Sequence, residues 1–185
     1  MRSAILVMAP VILSASLTAQ GVFSNKTQVI LEKVIQDYPN HFLHLRGELI
    51  GQATQPARYR STLQLPGSAS STVVVTGAGI QGSGWSCTIL ETSDFNTARV
   101  RFAEIYDQLS NSIISADGQK TYILSGQYEA PDQNRRNTKV LFSLLPGVGE
   151  MKGVRVELAL DQEEGHWVLS INVNDKDLPV YTTSR

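Results

Sequence analysis

The histidines and the cysteine are the side chains that could support catalysis or bind a metal. His41 and His44 lie three residues apart in a stretch that alternates like a β-strand. At that spacing their side chains point to opposite faces, so they cannot bind one ion. His166 begins a later predicted strand on its solvent side, and Cys87 has no neighbouring histidine that would activate its thiol. We therefore predict no catalytic residue, no metal and no cofactor, and an enzyme is disfavoured.

Gly77, Gly79 and Gly82 form a GxGxxG pattern directly after an apolar run. This pattern binds a dinucleotide only where a helix begins next, because the N–H groups of the helix N-terminus contact the pyrophosphate. The residues that follow here, 83–89, are typical of a strand. We therefore predict a hairpin loop.

A cluster of basic residues is the first candidate contact surface. His44, Arg46, Arg58 and Arg60 alternate with leucines along two predicted strands, and Glu48 is the lone opposing charge. If the strands pair, these side chains form a cationic patch on one face. Such a patch could attract an acidic partner or an anionic polymer, or it could be an ordinary solvated strand face.

A strand that is apolar on both sides is the second candidate. The segment 140–145 carries apolar residues at nearly every position. A central strand buried on both faces has this pattern, and so does a strand with one face against another chain. On the second interpretation Val140, Phe142 and Leu144 bind a protein or peptide partner, and a homodimer is one such partner.

The elements that would position these residues are two helices and eight strands. The stretch Ser93–Ser115 has an apolar stripe at three- and four-residue spacing, which predicts an amphipathic helix, and Ser24–Tyr38 has another that ends at Pro39. Alternating or apolar runs predict the strands: His41–Gly51, Arg58–Leu65, Thr72–Thr76, Trp85–Leu90, Thr121–Glu129, Thr138–Leu145, Val154–Leu160 and Trp167–Val173.

The two halves of the chain carry the same landmarks in the same order. Leu65-Pro66-Gly67 corresponds to Leu145-Pro146-Gly147, and Trp85 corresponds to Trp167. We therefore predict an α+β fold, a tandem duplication of a helix plus four antiparallel strands. Residues 21–92 and 93–180 would form one compact domain, with 181–185 as a tail. A curved antiparallel sheet of up to eight strands would carry both helices packed on one face.

The N-terminal residues predict export. Arg2 precedes an apolar run over Ala4–Leu17, and Ala19 offers a small residue for cleavage, which is the layout of a signal peptide over residues 1–20. We expect a secreted or periplasmic protein with no membrane insertion after cleavage. Without Arg2, 15 of the 16 basic residues remain against 17 acidic ones, and this balance disfavours nucleic-acid binding.

These patterns favour an exported, non-catalytic binding protein that recognises a protein or peptide across an open sheet face, as an inhibitor, a chaperone or an adaptor-like module. One alternative is a periplasmic carrier of a small molecule or lipid. Its cavity would lie between helices and sheet and be lined by Trp85, Phe102, Tyr106 and Trp167. A second alternative is a hydrolase whose site is not visible in the sequence.

Overall fold

The computed structural model describes residues 25–52, 56–76, 82–116 and 120–175. The predicted signal peptide, Gly77, Gly79 and the tail lie outside these residues. The described chain forms one antiparallel sheet with two helices, in an α+β arrangement. The elements are α1 (Asn25–Gln36), β1 (Arg46–Ile50), β2 (Ala57–Ser61), β3 (Ser70–Val75), β4 (Ser83–Thr92), α2 (Phe95–Ser110), β5 (Ile113–Ala116), β6 (Lys120–Ser125), β7 (Asn137–Leu145), β8 (Val154–Glu163) and β9 (His166–Asp175).

The nine strands lie side by side in the order β1-β2-β3-β4-β9-β8-β7-β6-β5. The two halves therefore meet where β4 pairs with β9. From that pair the strands follow one another outward in the reverse of their order along the chain, from β4 to β1 on one side and from β9 to β5 on the other. Trp85 lies opposite Val173 in this pairing, and Trp167 lies opposite Thr92. The predicted hairpin of β8 and β9 is confirmed, with Leu160 opposite Leu169.

The second helix is shorter than predicted, and its end becomes an extra strand. Asp94 caps α2 by accepting a hydrogen bond from the N–H of Asn96. The helix ends at Ser110, where the side chain of Asn111 donates to the carbonyl of Asp107. Residues 113–116 then pair with β6. The sheet thus has nine strands, and the predicted limit of eight is wrong.

The first helix covers one edge of the sheet. The Gln28 side-chain amide donates to the carbonyl of Ile113 at 2.7 Å, and that of Gln36 donates to the carbonyl of Ser115 at 2.6 Å. Both carbonyls belong to β5, the last strand of the sheet. These bonds satisfy groups with which another chain's strand would otherwise pair.

The segment between α1 and β1 is not the predicted strand. It forms two short 3₁₀ helices, Tyr38–Asn40 and Leu43–Leu45, and strand geometry begins only at Arg46. Between the two, His41 and Phe42 have φ angles of 52° and 57°. A left-handed backbone costs a residue with a side chain about 1–3 kcal/mol, and the complete burial of the Phe42 ring helps to offset that cost.

One apolar core fills the space between the helices and the sheet. Inward residues of every strand from β3 to β9 join residues of both helices in a single cluster. On α2 the buried residues are Ala98, Phe102, Ile105 and Leu109. Within the described ranges no helix is long and apolar enough to cross a membrane.

Trp85 anchors the part of the core beneath the first half. Its ring is fully buried, and the indole N–H donates to the Ser61 hydroxyl at 2.9 Å. That hydroxyl in turn donates to the carbonyl of Leu63 at 2.8 Å. A single serine therefore satisfies a buried donor and links β2 to β4.

Replacing Ser61 with alanine should lower the free energy of unfolding by about 1–3 kcal/mol, because the indole N–H would lose its partner inside the core. Urea denaturation followed by tryptophan fluorescence measures this. Ser86→Ala is the matched control: Ser86 follows Trp85 on the same strand and points to the other face, so we expect a change within about 0.5 kcal/mol. Equal losses in the two variants would contradict the role of the Ser61–Trp85 bond.

Candidate functional site

The face of the sheet opposite the core is called the outer face here. Residues that lie opposite each other on neighbouring antiparallel strands point to the same side. The pairing registers therefore place two rows on this face. One row is Arg60, Thr72, Ser86, Asn172, Glu157 and Leu141, and the next contains Arg58, Val74, Gly84, Asn174, Arg155 and Ser143.

Three arginines contribute positive charge to the outer face, where the same registers also place Glu91, Asp161 and Glu163. Arg58 and Arg60 come from β2 and Arg155 from β8, and all three keep at least part of their surface exposed. Among the residues that the structure describes, none of the three has a carboxylate within ion-pair distance. Arg155 was not among the predicted contact residues, because its place beside β9 depends on the register of the sheet.

The outer face also holds a buried ion pair. Glu157 is 1% exposed, and its carboxylate accepts hydrogen bonds from Lys139 and Asn172, each at 3.3 Å. Burial raises the pKa of Asp161 on the same strand, and the charge of Lys139 works in the opposite direction. Lys139 therefore pairs with Glu157, and the charges of Glu157 and Glu163 add to the rise in the pKa of Asp161.

The centre of the outer face is polar and closely packed. Thr72, Ser86 and Asn172 follow one another across β3, β4 and β9. At Gly84 a Cβ atom would lie 2.1 Å from the side-chain oxygen of Asn174. The missing side chain of the glycine therefore allows the Asn174 amide to lie across the strand.

The predicted cationic patch is only partly assembled. Arg58 and Arg60 share the outer face, but Arg46 lies opposite Ser61 on the core side. There its guanidinium donates to the carbonyl of His41 at 3.0 Å and lies 5.8 Å from the ring of Tyr59. A register irregularity after Arg46 makes strict alternation fail in β1. The expectation that these residues share one face is wrong for Arg46.

His44, the fourth member of the predicted patch, is not on a strand. It lies in the second 3₁₀ helix, and its Nδ1 atom is 2.6 Å from Oδ1 of the Asp37 carboxylate. Its side chain is 69% exposed, whereas that of Asp37 is 8% exposed. No local sequence pattern predicts this pair, because the chain must reverse through two left-handed residues to form it.

The apolar residues predicted to contact a partner are core residues. Val140, Phe142 and Leu144 are 1%, 0% and 2% exposed and belong to the cluster beneath the helices. The alternate residues Leu141 and Leu145 are the exposed ones, at 47% and 44%. This corrects the candidate set: the inward face of β7 is part of the core, and its outward face carries Leu141 and Leu145 among polar residues.

Leu145 is part of an exposed apolar row. It lies opposite Ile123 on β6, which lies opposite Ile113 on β5. These isoleucines are 51% and 52% exposed. The row, with Leu141 nearby on β7, places apolar surface at one end of the outer face.

The residues expected to line a carrier cavity are packed against other side chains. Trp85 and Phe102 are fully buried. Trp167 lies 4.9 Å from the ring of Phe95, and Tyr106 lies 5.6 Å from that of Phe142.

The other candidates for chemistry in the described ranges are the cysteine and clusters of side chains that could hold a metal ion. Cys87 is buried in the core, and that burial raises the pKa of its thiol. Residues 25–52, 56–76, 82–116 and 120–175 contain no group of three histidine, cysteine, aspartate or glutamate side chains close enough to hold a metal ion. Comparison with known proteins finds no protein family, no curated protein and no solved structure that matches this chain.

Phe142→Ala should lower the free energy of unfolding by about 3–5 kcal/mol, because it removes a fully buried ring and leaves a cavity. Leu141→Ala, one residue away on the outer face, should change it by about 0.5 kcal/mol. Chemical denaturation of both variants measures the difference. A stable Phe142→Ala protein would contradict the assignment of Phe142 to the core.

Proposed function

We propose that this chain is an exported binding protein whose outer face, which is not itself a catalytic site, recognises an acidic protein or peptide, as an inhibitor, a chaperone or an adaptor-like module. The observation that carries the proposal is the set of Arg58, Arg60 and Arg155 on the outer face, none of them paired with a described carboxylate. The whole chain has a formal net charge of -1 at pH 7. Arginines without a paired carboxylate on such a protein favour a partner of opposite charge.

The chemistry of the face suits an extended polypeptide better than a nucleic acid. The described outer rows carry hydroxyl and amide groups at their centre, which can bond a peptide backbone. The aromatic residues Tyr59, Trp85 and Phe142 belong to or pack against the core, so they offer no surface for stacking bases. The apolar row of Ile113, Ile123 and Leu145 would accept aliphatic side chains of the partner.

We also propose that the fold arose by duplication of a helix and four strands. The mirrored order of β1–β4 and β9–β6 about the β4–β9 pair supports this, with β5 as an addition to the second half. The two tryptophans occupy nearly reciprocal positions in that pair, opposite Val173 and Thr92. A rotation that superimposes the first half on the second would therefore bring Trp85 close to the position of Trp167.

Export is proposed from residues 1–20 alone. Expression of the full chain in a bacterial host should give a periplasmic product whose N-terminus lies just after Ala19 or Gln20, because a signal peptidase cuts after a short apolar run. Mass spectrometry of the periplasmic fraction identifies that terminus. Leu13→Arg interrupts the apolar run and should retain the chain in the cytoplasm, whereas Thr18→Ser should not. An exported product that still begins at Met1 would contradict the proposal.

The charge reversal R58E/R60E should weaken binding of a labelled poly-L-glutamate peptide about tenfold, because two attractions become repulsions. Fluorescence anisotropy at low and physiological salt measures the affinity. The control R99E/R101E makes the same change in net charge on α2, away from the outer face, and should leave the affinity nearly unchanged.

Two outcomes would contradict this proposal. Equal losses in R58E/R60E and R99E/R101E would mean that the peptide responds only to net charge. Binding of heparin with no binding of poly-L-glutamate would mean that the surface recognises an anionic polysaccharide and not a polypeptide.

A further inference from the structure

The turn that follows α1 holds a histidine against a buried carboxylate. Asp37 accepts hydrogen bonds from the backbone N–H of His44 at 3.1 Å and from the side-chain amide of Asn40 at 3.0 Å. Its Oδ1 atom also lies 2.6 Å from Nδ1 of His44. Because an ionised carboxylate can only accept hydrogen bonds, Nδ1 carries the proton of this contact.

This arrangement fixes which ring nitrogen of His44 is free. With the proton on Nδ1, the neutral imidazole has its lone pair on Nε2, which can accept a proton. The side chain of Asp37 is 8% exposed and that of His44 is 69% exposed. A buried acid thus orients an exposed base, an arrangement that general bases in enzymes use.

A shallow cleft, largely open to solvent, lies beside the imidazole. Its volume is about 390 Å³, and His44 lines it together with Lys33, Thr62, Leu45 and Leu63. The two leucines supply an apolar wall, and the ammonium group of Lys33 supplies a positive charge. This combination suits a small acyl group whose carbonyl oxygen becomes negative during reaction.

The need to close the turn does not explain why residue 44 is a histidine. The bond from residue 44 that closes the turn comes from its backbone N–H, which almost any residue could supply. The turn nevertheless holds His41 and Phe42 in left-handed conformations, and Arg46 fixes it further by donating to the carbonyl of His41. Strained backbone of this kind clusters where a side chain must be held in one position.

We propose that His44, oriented by Asp37, acts as the general base in the hydrolysis of small carboxylic esters in this cleft. Nε2 takes a proton from a water molecule, and the water oxygen bonds to the acyl carbon. The tetrahedral intermediate then breaks its bond to the alcohol oxygen, which leaves with the proton from the imidazolium. One ester and one water give one acid and one alcohol. Lys33 stabilises the negative oxygen of the intermediate.

The test uses the full chain with p-nitrophenyl acetate and p-nitrophenyl butyrate as probes. His44→Asn should lower kcat/KM at least about 100-fold, as expected when a general base is removed. His41→Asn is the matched control, since His41 lies in the same turn but outside the Asp37 pair, and asparagine tolerates its left-handed backbone. It should retain the wild-type rate.

Asp37→Asn tests whether Asp37 positions the His44 ring. The measurement is the tautomer of that ring, which would not change if Asp37 only stabilised the fold. Its amide can donate to Nδ1, so the proton of the neutral imidazole should move to Nε2, and ¹⁵N NMR of the His44 ring detects that change of tautomer. The rate should fall about tenfold or more with it, because Nε2 can then no longer accept a proton. A wild-type rate no higher than that of His44→Asn, or equal losses in His44→Asn and His41→Asn, would overturn the proposal.

Discussion

The pairing of β4 with β9 is the constraint on which the rest of the structure depends. It joins the last described strand of the chain to a strand from the first half and makes one sheet from both. Because side chains alternate along a strand, a shift of one residue would move every inward residue outward. The register that sets Trp85 opposite Val173 therefore keeps the apolar residues of both halves on the helical side.

The polar composition of the outer face follows from the placement of the apolar residues on the opposite face. Because the apolar residues point into the core, polar and charged residues of distant strands become neighbours on the outer face. Arg58 and Arg155 lie in one row although 97 positions (155 minus 58) separate them in the sequence. Glu157 lies near them but is buried against Lys139.

In the turn between α1 and β1, tertiary contacts offset the cost of an unfavourable backbone. Its two left-handed residues are unfavourable in isolation, and tertiary contacts maintain them. Phe42 is buried in the core, Arg46 donates to the carbonyl of His41, and Asp37 accepts from the backbone of His44. Together these contacts hold the imidazole of His44 against a buried carboxylate.

The sequence by itself determined the α+β class, the amphipathic α2 and the β8–β9 hairpin, because each depends on periodicity within one short segment. Tertiary structure decided whatever depends on pairing between segments. Residues 113–116 continue the apolar pattern of α2 but pair with β6, and Arg46 leaves the face that alternation predicts because β1 is irregular. Local spacing specifies a helix or a strand, but only contacts between distant segments select the face, the register and the neighbours of a side chain.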